Sequence, residues 1–311
     1  MYIVSMTTIP SRKSTLIDNL MSILNQTFRF DKFCINIDDY MSFEDYEFYF
    51  GLEKLDSRIE VNICDRKWRS CNKLLPTLKK YPEAVIITVD DDILYPKDCI
   101  ETLIKGYKNN PDCVISHDSS PIIIEDGKFI QITNNVDIRL NQKKFGRYFS
   151  MCCLFPPHIF DGTDLYDYDK MKYCTEGTHD ELWFWLMSTM NCVKSVALND
   201  IHDFGTYILK DAYSDGYKLS DINCDVSTML KYNDNIKNLY GDKLDEIVGK
   251  SKTEFVLTKD NIYNFFYNFW IVRIFYKNNF VLNLDNLPDS YFKELSDFLN
   301  GSEINLDDVK I

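Results

Sequence analysis

At 311 residues the chain is long enough to bury a sizeable core, as one large domain or as a domain with a smaller annex. A hydrophobic share of 45% beside 27% charged residues marks an ordinary soluble globular protein. The formal net charge of −13, with no dense Lys/Arg stripe, argues against nucleic acid as a partner, because counterion release needs clustered positive charge.

Tyr2–Met6 reads as a strand, and Ser14–Leu24 as a helix with Leu16, Leu20, Ile23 and Leu24 on one face. Phe33–Ile37 reads as a second strand running into Asp38 and Asp39, Phe43–Leu55 as helical, and Ile59–Ile63 as a third strand. Cys71–Lys80 reads as a helix and Ala84–Val89 as a fourth, wholly apolar strand. This β-α-β-α-β-α-β order predicts an α/β fold with a parallel sheet covered on both faces. Right-handed crossovers bring the strands' C-terminal ends to one edge, where such folds bind ligands. Ile122–Ile124 and Phe129–Ile132 flank Glu125-Asp126-Gly127 as a hairpin. Thr178 opens a helix carrying Leu182, Trp183, Leu186 and Met187, and Val193–Leu198 is a further strand. Beyond about Tyr217 the segments read as helical and acidic. In Ile262–Tyr276, the apolar face of Phe265, Phe266, Phe269 and Trp270 suits core packing, with a membrane-surface or partner face as the alternative.

The ten cysteines form no CxxC pair, and adjacent Cys152 and Cys153 are poorly placed to bridge each other. Free, buried thiols in a reducing cytoplasm are expected. The N-terminus shows no signal-peptide pattern, and no apolar stretch of about 20 residues predicts a membrane span.

The strongest chemical signal is Val89-Asp90-Asp91-Asp92, directly after the most apolar strand. Three consecutive carboxylates repel one another and call for a counter-charge, which a Mg²⁺ or Mn²⁺ ion supplies through carboxylate oxygens. On an extended turn Asp90 and Asp92 project to one side and Asp91 to the other. The plainer reading is a solvated acidic turn. Arg66-Lys67-Trp68-Arg69 is the one dense basic spot, either a solvated loop or a contact for phosphate or acceptor.

Thr7-Thr8-Ile9-Pro10-Ser11-Arg12, the run Lys73–Pro82 and Val89–Pro96 together resemble bacterial cell-surface polysaccharide glycosyltransferases of the GT-A fold, over roughly residues 1–235. The resemblance implies a Rossmann-like, mostly parallel mixed sheet with helices on both faces and a D-x-D metal site. It implies a UDP-sugar donor and a glycan or lipid-linked glycan acceptor, in the cytoplasm or at the inner face of the membrane. Asp90 and Asp92 would hold Mn²⁺ or Mg²⁺, with His202 as a further ligand or else a structural histidine. Thr7, Thr8, Pro10, Arg12, Asp38, Asp39, Lys73, Asp90 and Asp91 would line the donor, although Thr7 and Pro10 also suit an ordinary turn. Asp180-Glu181-Leu182-Trp183-Phe184 resembles the family's acidic pair, whose second member is more often Asp; either Asp180 or Glu181 would then be the general base. His179 would contact donor or acceptor, while His117 and His158 read as structural. The implied division is 1–215 for the catalytic domain, with a donor half 1–120 and an acceptor half 121–215, followed by a mostly helical region 216–311. An inverting single displacement is favoured over retention. A metal-dependent phosphohydrolase and a non-catalytic nucleotide-sugar-binding module are the rival readings.

Overall fold

The computed structural model describes residues 1–117, 151–198 and 226–248, Leu209, and the short strands Ser119–Ser120, Ile122–Glu125, Lys128–Gln131, Arg147–Tyr148, Glu254–Val256 and Val281–Asn283. His202 and the segment 262–276 lie outside the described residues.

The main sheet is built from β1 (Tyr2–Thr7), β2 (Lys32–Asp38), β3 (Ile59–Cys64), β4 (Val85–Val89), β5 (Val114–Ser116), β6 (Cys152–Phe155) and β7 (Ser195–Ala197), in the spatial order β7-β5-β6-β4-β1-β2-β3. Strands β3, β2, β1 and β4 run parallel, as their order in the chain predicts. Strand β6 is antiparallel to both β4 and β5, and β7 is parallel to β5, so the sheet is mixed but mostly parallel. The predicted hairpin forms as Ile122–Glu125 paired antiparallel with Lys128–Gln131.

Period-two alternation divides the central strands between two cores. Val4, Ile35, Ile87 and Leu154 face one core, shared with Leu16, Leu20 and Ile23 of α1 (Lys13–Leu24) and Tyr49 of α2 (Phe43–Gly51). Their neighbours Ile3, Cys34, Ile86 and Cys153 face the other, with Leu75 of α3 (Leu75–Lys80). Leu103 of α4 (Cys99–Asn109) joins the first core, and Met171 of α5 (Tyr168–Thr175) and Trp183 of α6 (Asp180–Met190) join the second. Tyr232, Ile236 and Leu244 of α7 (Val226–Val248) also bury into the second core, so this part of the C-terminal region packs on the sheet domain. No helix among the described residues is long and apolar enough to cross a membrane.

Several boundaries move for local reasons. The helix expected over Cys71–Lys80 is a 3-10 segment, Arg66–Lys73, followed by α3; Pro76 lies in the first turn of α3, where its missing N–H has no helical partner to lose. The α-helix expected to reach Leu55 stops at Gly51 and tightens to 3-10 over Leu52–Lys54. Helix α6 opens at Asp180 rather than Thr178, because Glu176 and Gly177 both take left-handed φ values, 51° and 74°, and turn the chain between α5 and α6.

Candidate functional site

The C-terminal ends of β1, β2 and β4 carry Thr7, Asp38 and Asp90 to one edge of the sheet, the edge the strand order predicts for a ligand. The Asp90–Asp92 turn is held there by two side chains and one backbone N–H. Asn19, on the buried face of α1, donates to the carbonyls of Asp90 at 2.8 Å and Ile93 at 2.7 Å. The Tyr95 hydroxyl accepts from the Asp90 N–H at 2.7 Å and itself donates to the carbonyl of Met151, just ahead of β6. The Asp92 carbonyl accepts from the N–H of Leu209 at 2.8 Å.

The carboxylates divide between two cations. Lys73 Nζ lies 2.6 Å from Asp90 Oδ1 and 3.0 Å from Asp180 Oδ2, bridging the strand-end turn and the first residue of α6. Arg12 Nε lies 3.9 Å from Asp91 Oδ1, and Thr8 faces the same carboxylate. Arg12 is aimed by a 3-10 turn, Pro10–Arg12, that Pro10 opens and that runs directly into α1. Adjacent aspartates meeting different cations is the arrangement expected where the chain is extended and successive side chains point apart. Lys73, expected from the resemblance to line the donor, is buried as the counter-charge of two carboxylates, and both hold its ammonium well above the usual lysine range against the effect of burial.

Negative charge still exceeds positive in this turn. Burial, reinforced by Asp92 and only partly offset by Lys73, pushes Asp90 up to about 7. Burial and Asp92 push Asp91 up to about 6, with Thr8 and Arg12 opposing. An acid whose pKa is raised on folding is more strongly protonated in the folded state, so its contribution favours folding at low pH. That contribution is lost as the pH rises from about 4 through the raised values. Asp45, Asp56 and Glu60, each held near 2 by hydrogen bonds from basic or hydroxyl partners, stay ionised across this window. In chelator, the melting temperature of wild type will therefore fall relative to Asp90→Asn between about pH 5 and pH 7.5. Parallel pH profiles by scanning calorimetry would show that Asp90 is not strained by its surroundings.

The remaining predicted residues sit around this centre. Thr7 Oγ1 donates to the Asn36 carbonyl at 2.9 Å, tying the end of β1 to β2. Asp38 is raised by burial, opposed by a hydrogen bond from Asn72, while Asp39 Oδ1 accepts from the Arg66 N–H at 3.2 Å. His179 precedes α6, its Nδ1 3.8 Å from Glu181 Oε2. Asp180 is buried, whereas the side chain of Glu181 is 22% exposed and is the more accessible of the pair. Thr178 Oγ1 meets the Tyr232 hydroxyl at 2.7 Å, which fixes the entry to α6 against α7.

The basic run resolves into separate roles. The Arg66 guanidinium lies over the Tyr40 ring at 4.5 Å, and Lys67 Nζ pairs with Asp65 at 3.0 Å. Trp68 packs edge-on against Tyr168 of α5, with ring centroids 5.5 Å apart. Arg69, at φ 47° and ψ −125°, is strained for a residue with a β-carbon, and its stem runs beside Gly177. Asn19 and Tyr95 were not marked by the chemistry of the sequence. Asn19 had a signal, a polar residue between Leu16 and Leu20 on the apolar face of α1.

The fold and this edge define an α/β protein with a carboxylate-rich, strand-end site. No protein-family model matches the sequence, and no curated protein matches it significantly. Among solved structures the chain is similar to S. aureus TarS 1–349, at a TM-score of 0.48 and 15% identity over 97% of this chain and 81% of that one. The same TarS fragment in complex with UDP-GlcNAc gives 0.42 and 12%, over 96% and 80%. Mouse xyloside xylosyltransferase 1 in its apo form gives 0.33 and 13%, over 69% and 90%. These likenesses are remote, and the chemistry of the site rests on its own residues.

Proposed function

We propose that the chain is a glycosyltransferase that moves a sugar from a nucleoside diphosphate, UDP in our reading, to a hydroxyl of a surface glycan or glycolipid. The observation that carries this is the junction at Lys73, which brings the Asp90–Asp92 turn and the Asp180–Glu181 pair into one site from distant parts of the chain. Group transfer between a diphosphate leaving group and a hydroxyl needs such a pairing: an electrostatic centre for the departing charge, and a carboxylate to take the acceptor's proton.

Asp90 and Asp92 would hold Mn²⁺ or Mg²⁺, an assignment supported by the burial, and secondarily the neighbouring Asp92, that raise Asp90 and Asp91. Such an ion supplies Lewis-acid stabilisation of the diphosphate. Thr8, Pro10 and Arg12, with Asp38 and Asp39 across the same edge, would bind the nucleoside. In the transfer, Asp180 takes the proton from the acceptor hydroxyl as its oxygen bonds to the anomeric carbon and the bond from that carbon to the diphosphate breaks. The sugar passes through an oxocarbenium-like state with inversion. Glu181 is the alternative base. In the phosphohydrolase reading Asp38 and Asp39 would add ligands, but Asp39 is already engaged by the Arg66 N–H and Asp38 by Asn72.

A thermal-shift panel of nucleotide sugars, with Mn²⁺ or with EDTA, tests the donor site. Wild type will be stabilised by UDP or a UDP-sugar with Mn²⁺, and the shift will vanish in EDTA and in Asp92→Ala. Well-folded wild type that responds to no nucleotide sugar in either condition would remove the donor assignment.

A further inference from the structure

Behind the carboxylate turn lies a second cluster that the transfer chemistry does not use. Cys99 opens α4, His117 follows β5, and Cys152 opens β6; all three are buried. Cys99 Sγ is 3.3 Å from His117 Nε2, and one ligand atom from each of the three lies within 4.8 Å of the others. Tetrahedral zinc, with Zn–S near 2.3 Å and Zn–N near 2.0–2.1 Å, spaces its sulfur and nitrogen ligands by roughly 3.5–3.8 Å. The trio is therefore close to the separation a bound ion requires.

We infer that Cys99, His117 and Cys152 form a soft-metal site that takes Zn²⁺. Two thiolates and one imidazole are a donor set suited to zinc and unlike the oxygen-only set of Asp90–Asp92, so the two sites select different ions. Two thiolates also neutralise a divalent cation, which avoids leaving net charge in a buried position. The described residues supply three ligands, and a water or small anion suits the fourth tetrahedral position. The ligands come from three segments far apart in the chain, which is why no CxxC spacing announces them.

The position gives the ion a structural consequence. Cys152 pairs in the sheet with Val89, the residue before Asp90, and its neighbour Met151 accepts from Tyr95, which also holds the Asp90 N–H. Zinc here would pin α4, β5 and β6 together beneath the turn that carries the carboxylates.

The test uses the full chain, reduced and stripped of metal, in wild type, Asp92→Ala and Cys152→Ser. Titrated with Co²⁺, wild type and Asp92→Ala will develop the thiolate-to-cobalt charge-transfer band and the intense d–d bands of a tetrahedral site, saturating at one equivalent. Zn²⁺ will displace these bands, and Cys152→Ser will lack them. A folded, reduced wild type that gives no thiolate charge-transfer band overturns the proposal and leaves a thiol–imidazole hydrogen bond between Cys99 and His117. That spectrum decides the matter even if Cys152→Ser fails to fold. Weak d–d absorption without the thiolate band, itself lost in a folded Asp92→Ala, would also overturn it, by placing the ion at the carboxylates. The donor assignment is unaffected by any of these outcomes.

Discussion

Lys73→Met will destabilise the fold by about 3–5 kcal/mol, the usual cost of removing one partner from a buried ion pair. Methionine keeps the length and much of the volume of the stem, so the loss reports on charge rather than on a cavity. The lysine ammonium lies between Asp90 and Asp180, and without it the buried Asp180 and the partly buried Asp90 face each other with no cation between them. Urea unfolding of the metal-free protein measures the effect. Adding Asp180→Asn to Lys73→Met will recover part of the loss, because one of the stranded charges is then gone. A loss below about 1 kcal/mol would mean that the junction is solvated and behaves as a surface pair.

Asp180→Asn will lower turnover by about 10²–10⁴-fold, the range for removing a general base, while the thermal shift from the UDP-sugar persists. The same change leaves Lys73 paired with Asp90, so donor binding and transfer should separate cleanly. Glu181→Gln will have a smaller effect. If Glu181→Gln instead gives the larger loss with donor binding intact, the exposed member of the pair is the base and Asp180 serves to hold Lys73. Equal, small effects from both would exclude a carboxylate base at this helix.

The sequence carried the first half of the fold well. Apolar runs at Tyr2–Met6, Phe33–Ile37, Ile59–Ile63 and Ala84–Val89 became β1 to β4 with shifts of a residue or two at their ends. Buried parallel strands advertise themselves by composition, and the intervening helix faces by period. The four-residue run Cys152–Phe155 did not announce a strand, because a run that short before Pro156 fits several structures and its place between β4 and β5 depends on distant partners. Helix α4 was readable in principle from Ile100, Leu103, Ile104 and Tyr107, which share one face. At the site, residue types were legible but pairings were not. Asp90 and Asp180 stand out as acids in sequence, whereas their common contact with Lys73 is set by tertiary packing.

The placement of β6 also bears on how the chain is made. On a ribosome β4 and β5 emerge well before Cys152–Phe155, yet each pairs with that later strand. The nascent sheet must therefore wait with an apolar gap at its middle until roughly half the polypeptide has been synthesised. Unpaired strand edges of this kind invite association with other chains. Newly made copies are thus most exposed to clumping, and most in need of a holding chaperone, in the interval between completion of β5 and arrival of β6.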